Sequence, residues 1–350
     1  PQHEQFKRLR TAYLKALEDE KNPNAASSEP EPNGKRRKSK RKRKSKTKLS
    51  ARLLYNMEMW RWMPRELGQK YILANIPEFE FRLVDGGHVI HSERIITGKV
   101  KHMTPIFSDE METVVLNPRW NVPNSIKVKE ILPGLLKGRD VIGRQGLRVR
   151  YGGSDVDPYS IDWASADIRN FHIYQPPGGS NALGRVKFLF PNSHAVYMHD
   201  TPTKYLFKRK VRAFSHGCVR VRDPIRFAEV LLAADKGWTR KDIDRLLRNR
   251  DDENPVKLSK KIPVHITYFT AWVDADAKVH LYSDIYSHER LIQMGLDGKA
   301  HLIVKPKENL GSDLNRIVGQ RRRTEQVTSN YGGYSNGRPP RWIREMWGWD

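Results

Sequence analysis

The chain has 350 residues, a formal net charge of +24 and a hydrophobic fraction of 38%. A chain of this length forms one large domain or two ordinary ones, and the low apolar content indicates that part of it lies outside any core. The single cysteine, Cys218, excludes an internal disulfide and any metal site that needs several cysteines, and no run of 18 apolar residues offers a membrane span.

The sequence pattern of the first 49 residues predicts a helix followed by a charged linker. Apolar residues recur at helical spacing over residues 3–20, and we interpret residues 1–21 as what remains of an upstream helical region. Residues 22–49 are rich in Pro, Ser and Asn and then hold 11 Lys and Arg residues from Lys35 to Lys48. Because like charges repel one another, we predict a disordered tether. It could also contact an anionic envelope, whereas its lack of aromatic residues argues against a specific nucleic-acid partner.

The sequence pattern of residues 50–286 predicts one folded domain made mainly of strands. Apolar periodicity predicts helices over 50–67, 125–136, 224–234 and 240–250. Alternating or short apolar runs predict strands at 71–76, 79–84, 88–96, 113–116, 186–190, 195–198, 263–273 and 278–282. Residues 137–184 are polar and rich in Gly and Pro, and Pro176-Pro177-Gly178-Gly179 indicates a turn.

Residues 287–350 predict a C-terminal extension that is partly disordered. Its pattern weakens after Ser287, and residues 331–340 are rich in Gly, Pro and Asn. Three tryptophans near its end, Trp342, Trp347 and Trp349, are unusual for a free tail, and we expect them to dock on the domain or on a partner.

The candidate reactive group is Cys218, in the string Ala213-Phe214-Ser215-His216-Gly217-Cys218-Val219-Arg220-Val221. A cysteine attacks as the thiolate, and since the ordinary pKa of a thiol is about 8.5, it needs a base within hydrogen-bond reach. We prefer His199, at the end of a predicted strand, with Asp200 or a nearby carbonyl fixing its tautomer. His216, two positions before the cysteine, receives an orienting or substrate-polarising role.

Two further residues of the string indicate the type of substrate. Gly217 lets the backbone turn and lets a carbonyl substrate come close to N–H groups that stabilise an oxyanion. Arg220 can bind a carboxylate with two parallel hydrogen bonds. A lone cysteine is more often buried and inert, so the prediction of acyl transfer through a thioester depends on the whole string.

The string from Ser215 to Arg220, with His199 upstream, resembles the signature of L,D-transpeptidases with a YkuD-type catalytic domain, which are bacterial cell-wall enzymes. Other segments resemble the large periplasmic branch of that family, and the resemblance extends over roughly residues 53–286. These segments are residues 56–64, Asn117-Pro118-Arg119-Trp120, residues 177–184 and His199-Asp200-Thr201-Pro202.

The resemblance implies a mainly β fold with flanking helices, in which two packed mixed β-sheets carry a capping lid at about residues 201–214. It implies an acyltransferase without a cofactor or metal, which forms a thioester with the diaminopimelate of a tetrapeptide stem and releases D-Ala. The acceptor is then an amine of a second stem, giving a 3→3 cross-link, or of an outer-membrane protein, and carbapenems act as inhibitors.

The resemblance also implies roles for individual residues. Cys218 is the nucleophile and His199 the base, while His216 and Gly217 line the oxyanion site. Four residues are expected to contact the substrate: Arg220, Tyr197, Ser215 and Phe214. The location implied is the periplasm of a Gram-negative bacterium, and since the chain begins at Pro1 rather than Met, we expect a processed or shortened form without its signal peptide.

Two other functions are compatible with the sequence. An L,D-carboxypeptidase or other cysteine hydrolase would use the same thiol and resolve the thioester with water, and the difference lies in how well water is excluded. A polyanion-binding protein led by Lys35–Lys48 would need those residues and would tolerate Cys218→Ala.

Overall fold

A computed structural model of the chain describes residues 3–22, 47–249 and 253–303. The predicted tether, apart from its two ends, and the Trp-rich end of the chain lie outside these residues. The described helices include none that is both long enough and apolar enough to cross a bilayer.

The helices are placed largely where apolar periodicity predicts them. They are α1 (Glu4–Lys21), α2 (Leu49–Arg61), α3 (Asn124–Ile126), α4 (Leu132–Leu135), α5 (Val141–Arg144), α6 (Pro224–Lys236), α7 (Arg240–Arg248) and α8 (His288–Leu296), with a π-helical turn at Lys127–Ile131 and 3₁₀ turns at Ile168–Asn170, Lys204–Lys208 and Ala300–Leu302.

The strands bring together segments that are far apart in the sequence. They are β1 (Lys70–Asn75), β2 (Glu80–Asp85), β3 (His88–Gly98), β4 (Phe107–Leu116), β5 (Trp120–Asn121), β6 (Arg148–Tyr151), β7 (Ser154–Val156), β8 (His172–Gln175), β9 (Val186–Leu189), β10 (Met198–His199), β11 (Ala213–Ser215), β12 (Val219–Val221), β13 (Asn254–Thr267), β14 (Ala271–Val273) and β15 (Val279–Leu281).

Nine of the described strands form one mixed sheet in the order β11-β3-β12-β10-β9-β4-β13-β1-β2. Because β3 also pairs with β2, eight of these strands join in a closed ring, and β11 lies beside β3 outside it. The mainly β fold with flanking helices is confirmed. The strands expected in two packed sheets belong to this continuous sheet and to two smaller ones, β14-β15 and β5-β8-β6-β7. Irregular register in β3 and β13 lets these long strands bend around the core.

The core fixes the strands that carry the cysteine motif. Phe227 of α6 lies between Phe81 and Phe188, with ring centroids 4.5 and 4.6 Å apart, and all three side chains are fully buried. Aromatic side chains bury large apolar areas, and tilted pairs add about 0.5–1.5 kcal/mol beyond the burial itself. α6 starts as predicted, because the Asp223 side chain accepts from the Arg226 N–H and Pro224 fits the first turn.

Two predicted helices end or break at a proline. α2 stops at Arg61, six residues before the predicted end, and Pro64 follows it. The helix predicted over 125–136 is divided into α3, the π turn and α4, with Pro133 at the start of α4. Proline has no N–H to donate and its ring crowds the preceding turn, so it interrupts the regular hydrogen-bond ladder.

The N-terminal helix packs against the body. Leu9 and Ala16 of α1 are buried in the main core, and α1 contacts α2 and β14. Ser50, at the start of α2, donates its hydroxyl to the Glu20 carboxylate at 2.9 Å. The predicted division into residues 1–21, 22–49, 50–286 and 287–350 stays a prediction.

Residues 120–175, here called the inserted subdomain, have a core of their own. Residues 137–184, where the sequence pattern marked no strand, contain β6, β7 and β8, which form a sheet with β5. The sheet packs on α3–α5 through buried apolar residues that form a cluster separate from the main core, among them Leu132, Val149 and Ile173. Its short strands lie between Gly-Gly and Asp-Pro turns, which hid the alternation in the sequence.

Candidate active site

Two short parallel strands place the reactive residues on one face. In the pairing of β10 with β12, His199 lies opposite Arg220, and in the pairing of β10 with β9 it lies opposite Lys187. Paired residues point to the same side of a sheet, and so do residues two apart in a strand. His199, Arg220 and Lys187 therefore form a row across three strands. Cys218 directly precedes β12, and its thiol lies beside Tyr197, two residues before His199.

The Cys218 thiol is partly exposed and neutral in this setting. Burial of the sulfur raises its pKa, while hydrogen bonds from the backbone N–H and hydroxyl of Tyr197 and the charges of Lys187 and Arg220 oppose that rise. The sulfur also lies 3.9 Å from the carbonyl oxygen of Ala195. A thiol whose pKa is raised is not a thiolate at neutral pH, so its attack requires transfer of a proton.

The His199 imidazole is buried, and its tautomer is fixed. Its Nδ1 lies 2.5 Å from the backbone carbonyl of Asp200, which can only accept, so Nδ1 carries the proton and Nε2 is free of one. Burial and the nearby Arg220 charge lower the pKa of His199 to about 3, against the effect of the Asp200 carbonyl. The group that fixes the tautomer is therefore a backbone carbonyl, that of Asp200, and not the Asp200 carboxylate.

Neither histidine is hydrogen-bonded to the sulfur among the contacts of the described residues. The partners of the thiol are Tyr197 and Ala195. The pairing of β10 with β12 is what places His199 near the thiol. Hydrogen bonds between catalytic groups are often long in a free enzyme and tighten when substrate binds. The assignment of His199 as the base therefore stays a prediction.

His216 is held by the inserted subdomain. Its Nε2 lies 2.5 Å from the Glu130 carboxylate and 3.3 Å from the Lys99 ammonium, and its ring is 5.0 Å from that of His102. The Glu130 carboxylate can only accept a hydrogen bond and the Lys99 ammonium can only donate one, and both contacts occupy Nε2. This placement favours an orienting role for His216.

Gly217 contributes its conformation. Its φ of +119° lies in a region that L side chains rarely adopt, so another residue would be strained there. Its N–H donates to the Ser215 Oγ at 3.1 Å, and Ser215 in turn donates to the Cys218 carbonyl at 2.5 Å. Gly217 is predicted to line the oxyanion site, and its own N–H is already bonded to Ser215. Ser215 is buried and holds the turn, and its contact with substrate stays a prediction.

The remaining predicted site residues border the cleft. Tyr197 is largely buried, and burial and the nearby thiol raise the pKa of its phenol, so its hydroxyl stays protonated. Arg220 donates to the Thr203 hydroxyl at 3.2 Å, and burial lowers the pKa of its guanidinium. Phe214 is 40% exposed. The segment predicted as a lid, 201–214, contains a 3₁₀ turn with one buried residue, Phe207.

Three contributors were missed from the sequence. Lys187, whose pKa is lowered by burial, has its ammonium 4.3 Å above the Tyr197 ring. Trp120 hydrogen-bonds the Tyr197 side chain, and Glu130 binds His216. A lysine inside an apolar strand was a usable signal for the first, but nothing local marks the other two. Over the described residues, no group of three or more His, Cys, Asp or Glu side chains is arranged to hold a metal ion.

The chain is similar to known L,D-transpeptidases. Residues 69–266 match the model of the YkuD family, described as the L,D-transpeptidase catalytic domain. A Haemophilus influenzae protein named "Putative L,D-transpeptidase" is 35% identical over 225 residues, which cover 64% of this chain and 45% of that protein. The chain therefore spans less than half the length of that relative.

Solved structures of L,D-transpeptidases also match, at low overall similarity. One from Mycobacterium smegmatis is 12% identical, covers 57% of this chain and 58% of its own, and has a TM-score of 0.25. L,D-transpeptidase 3 from Mycobacterium tuberculosis, with a faropenem-derived adduct, is 12% identical, covers 57% of this chain and 60% of its own, and has a TM-score of 0.26.

The family assignment rests on the family model, which covers more than half of the 350 residues. The matched range contains Cys218, His199 and the strands that carry them. The chain therefore belongs to the YkuD family of L,D-transpeptidase catalytic domains.

Proposed function

We propose that this protein is a peptidoglycan L,D-transpeptidase in which Cys218 is the nucleophile and His199 the general base. The observation that carries the proposal is the pairing of β10 with β12, which brings the single thiol, one residue before β12, into the neighbourhood of a buried, neutral imidazole of fixed tautomer. A neutral thiol and a neutral imidazole suit general-base catalysis, because Nε2 can take the thiol proton as the sulfur attacks.

The acylation step forms a thioester. The sulfur of Cys218 bonds to the carbonyl carbon at the L-centre of diaminopimelate in the donor stem, and the thiol proton goes to Nε2 of His199. The oxyanion that develops needs N–H or O–H donors, and the protonated Tyr197 hydroxyl lies against the sulfur. When the intermediate collapses, the bond to the D-Ala nitrogen breaks and the imidazolium returns the proton to that leaving amine.

The second step regenerates the thiol. An acceptor amine gives its proton to His199 and attacks the thioester carbon, so that a carbon–nitrogen bond forms and the carbon–sulfur bond breaks. The proton on His199 then passes to the sulfur. We propose an amine of a second stem as the acceptor, with an outer-membrane protein as an alternative. Water in its place would give carboxypeptidase activity.

The charges around the thiol suit a donor that carries carboxylates. Lys187 and Arg220 flank His199 across the sheet, and each loses hydration to burial, which lowers its pKa. A buried cation gains more from a carboxylate partner than an exposed one does, since screening by water is weaker there. Because peptidoglycan lies outside the cytoplasmic membrane, we propose the periplasm as the location and carbapenems as acylating inhibitors.

The test is intact-mass measurement after incubation with a carbapenem, comparing the wild type with Cys218→Ala. We expect a covalent adduct on the wild type and none on the variant. A well-folded wild type without an adduct would exclude the thioester mechanism.

A purified tetrapeptide stem then separates the possible products. Cross-linked dimer supports the transferase. Release of D-Ala without dimer supports the hydrolase, and neither product means that peptidoglycan stems are not the substrate.

A further inference from the structure

A buried threonine outside the cysteine string holds the peptide bond that precedes the nucleophile. Thr104 is 1% exposed, and its hydroxyl donates to the carbonyl oxygen of Gly217 at 2.8 Å. The same hydroxyl accepts the N–H of Gly98, also at 2.8 Å. Its one O–H donor and one of its two acceptor lone pairs are used, so the hydroxyl has a defined direction.

This bond fixes the direction of the Cys218 N–H. A peptide unit is planar and trans, so the carbonyl of one residue and the N–H of the next point to opposite sides. The Gly217 carbonyl points inward to Thr104, so the Cys218 N–H points away from that buried hydroxyl. The adjacent N–H, that of Gly217, is bonded to Ser215 and cannot serve a substrate in this arrangement.

A second layer holds Thr104 itself. The Tyr286 hydroxyl donates to the Gly98 carbonyl at 2.5 Å and accepts the Thr104 N–H at 3.3 Å. The backbone of Tyr286 is in turn bonded to the Tyr268 hydroxyl at 2.7 Å. The turn is also tight, since a Cβ on Gly98 would lie 2.0 Å from the His102 carbonyl oxygen. Thr104 therefore has little freedom to move away from Gly217.

We propose that Thr104 is a positioning residue for acyl transfer, which aims the Cys218 N–H at the developing oxyanion through its bond to the Gly217 carbonyl. The proposal rests on the proposed function, because an oxyanion develops only when a carbonyl is attacked. Loss of one preorganised oxyanion donor lowers kcat by roughly 10²–10³-fold in other enzymes. Loss of the aiming bond leaves the N–H present but less well directed, so we expect about 10- to 100-fold.

The experiment compares two reactions of the same sulfur in Thr104→Val and the wild type. A carbapenem reacts through an oxyanion, whereas iodoacetamide alkylates the thiol by displacement of iodide and forms none. We expect Thr104→Val to lose acylation rate by about 10- to 100-fold while its alkylation rate stays within twofold. Thr104→Ser keeps the hydroxyl and should retain most of both rates.

The matched control is Thr267→Val, which removes another buried hydroxyl, bonded to the Ala74 carbonyl at 3.2 Å on the far strands β13 and β1. It should leave both rates unchanged. Equal losses of acylation and alkylation in Thr104→Val, or no loss of acylation, would overturn the proposal. If the wild type itself is not acylated, the proposed function has failed rather than the role of Thr104.

Tyr286→Phe tests the positioning role of Thr104 if Thr104→Val does not fold. It keeps the Thr104 hydroxyl but removes the two bonds that hold the turn from behind. We expect a smaller loss of acylation, again without a loss of alkylation. An unchanged ratio of the two rates in a folded Tyr286→Phe would count against the proposal.

Discussion

The central sheet and the inserted subdomain approach the thiol in different ways. The sheet holds His199, Arg220 and Lys187 on paired strands, and Cys218 directly precedes one of them, so their relative positions follow from backbone hydrogen bonds. The subdomain has a separate core and meets the site through two polar side chains, Trp120 on Tyr197 and Glu130 on His216.

This difference separates chemistry from access. Groups that exchange protons must be positioned to fractions of an ångström, and strands packed on a large core provide that. A subdomain with its own core can change its position without disturbing the sheet, since only a few polar contacts join it to the site. We therefore expect changes in the sheet to have large effects on the rate of reaction. Changes in the subdomain should affect its local order and have smaller effects on the rate.

The largest expected effect comes from the two histidines. His199→Ala should lower the carbapenem acylation rate by about 10²–10⁴-fold, because no other base of fixed tautomer lies on the strand beside the thiol. His216→Ala, which removes the contact with Glu130, should lose less. Stopped-flow acylation measures both. Equal losses would contradict the assignment of unequal roles, with His199 as the base and His216 as an orienting residue.

The cores should unfold separately if the subdomain is independent. Leu132→Ala in the subdomain core and Leu232→Ala in the main core each remove a fully buried side chain, at a cost of about 2–5 kcal/mol. Hydrogen exchange measured by mass spectrometry should show faster exchange confined to residues 120–175 for Leu132→Ala. Faster exchange across β10 and β12 in that variant would show that the two regions unfold together.

Acid should lower the free energy of unfolding through buried histidines. His199 and His288 are buried, which lowers the pKa of each to about 3, whereas the ordinary value is about 6.5. Below pH 6.5 the unfolded chain binds protons that the folded chain does not, so the free energy of unfolding falls as pH drops toward 3. Each histidine contributes up to about 1.4 kcal/mol per pH unit within that window.

Denaturant titrations at pH 6.5 and pH 5 test this with His199→Gln as the comparison. The variant lacks one of the two groups, so its loss of stability between the two pH values should be smaller than that of the wild type. An unchanged difference would mean that His199 is protonated in the folded protein.

The smallest expected effect is that of Trp120→Phe. It removes a hydrogen bond to Tyr197, worth about 0.5–1.5 kcal/mol, so acylation should fall by roughly threefold to tenfold. The control is Trp163→Phe in the same subdomain, which loses the bond to the Pro158 carbonyl away from the thiol. Equal effects of the two changes would show that the subdomain acts through its stability and not through Tyr197.

Local patterns were sufficient for much of the fold. Alternation and turn residues predicted the β2–β3 hairpin, and the Asp223-Pro224 start marked α6. They failed for residues 137–184, where short strands lie between glycine and proline turns. They also overextended α2, because apolar spacing continued past the point where Pro64 follows.

The sequence by itself was sufficient to predict a nucleophile and to propose two histidines beside it, because one cysteine and a short string around it leave few alternatives. Only the tertiary structure decided which groups surround that thiol. Trp120, Glu130, Lys187 and Thr104 lie on four different segments, and strand pairing and the inserted subdomain bring them to the motif. Sequence spacing encodes contacts within one helix or strand, whereas contacts between distant segments depend on the packing of the whole chain.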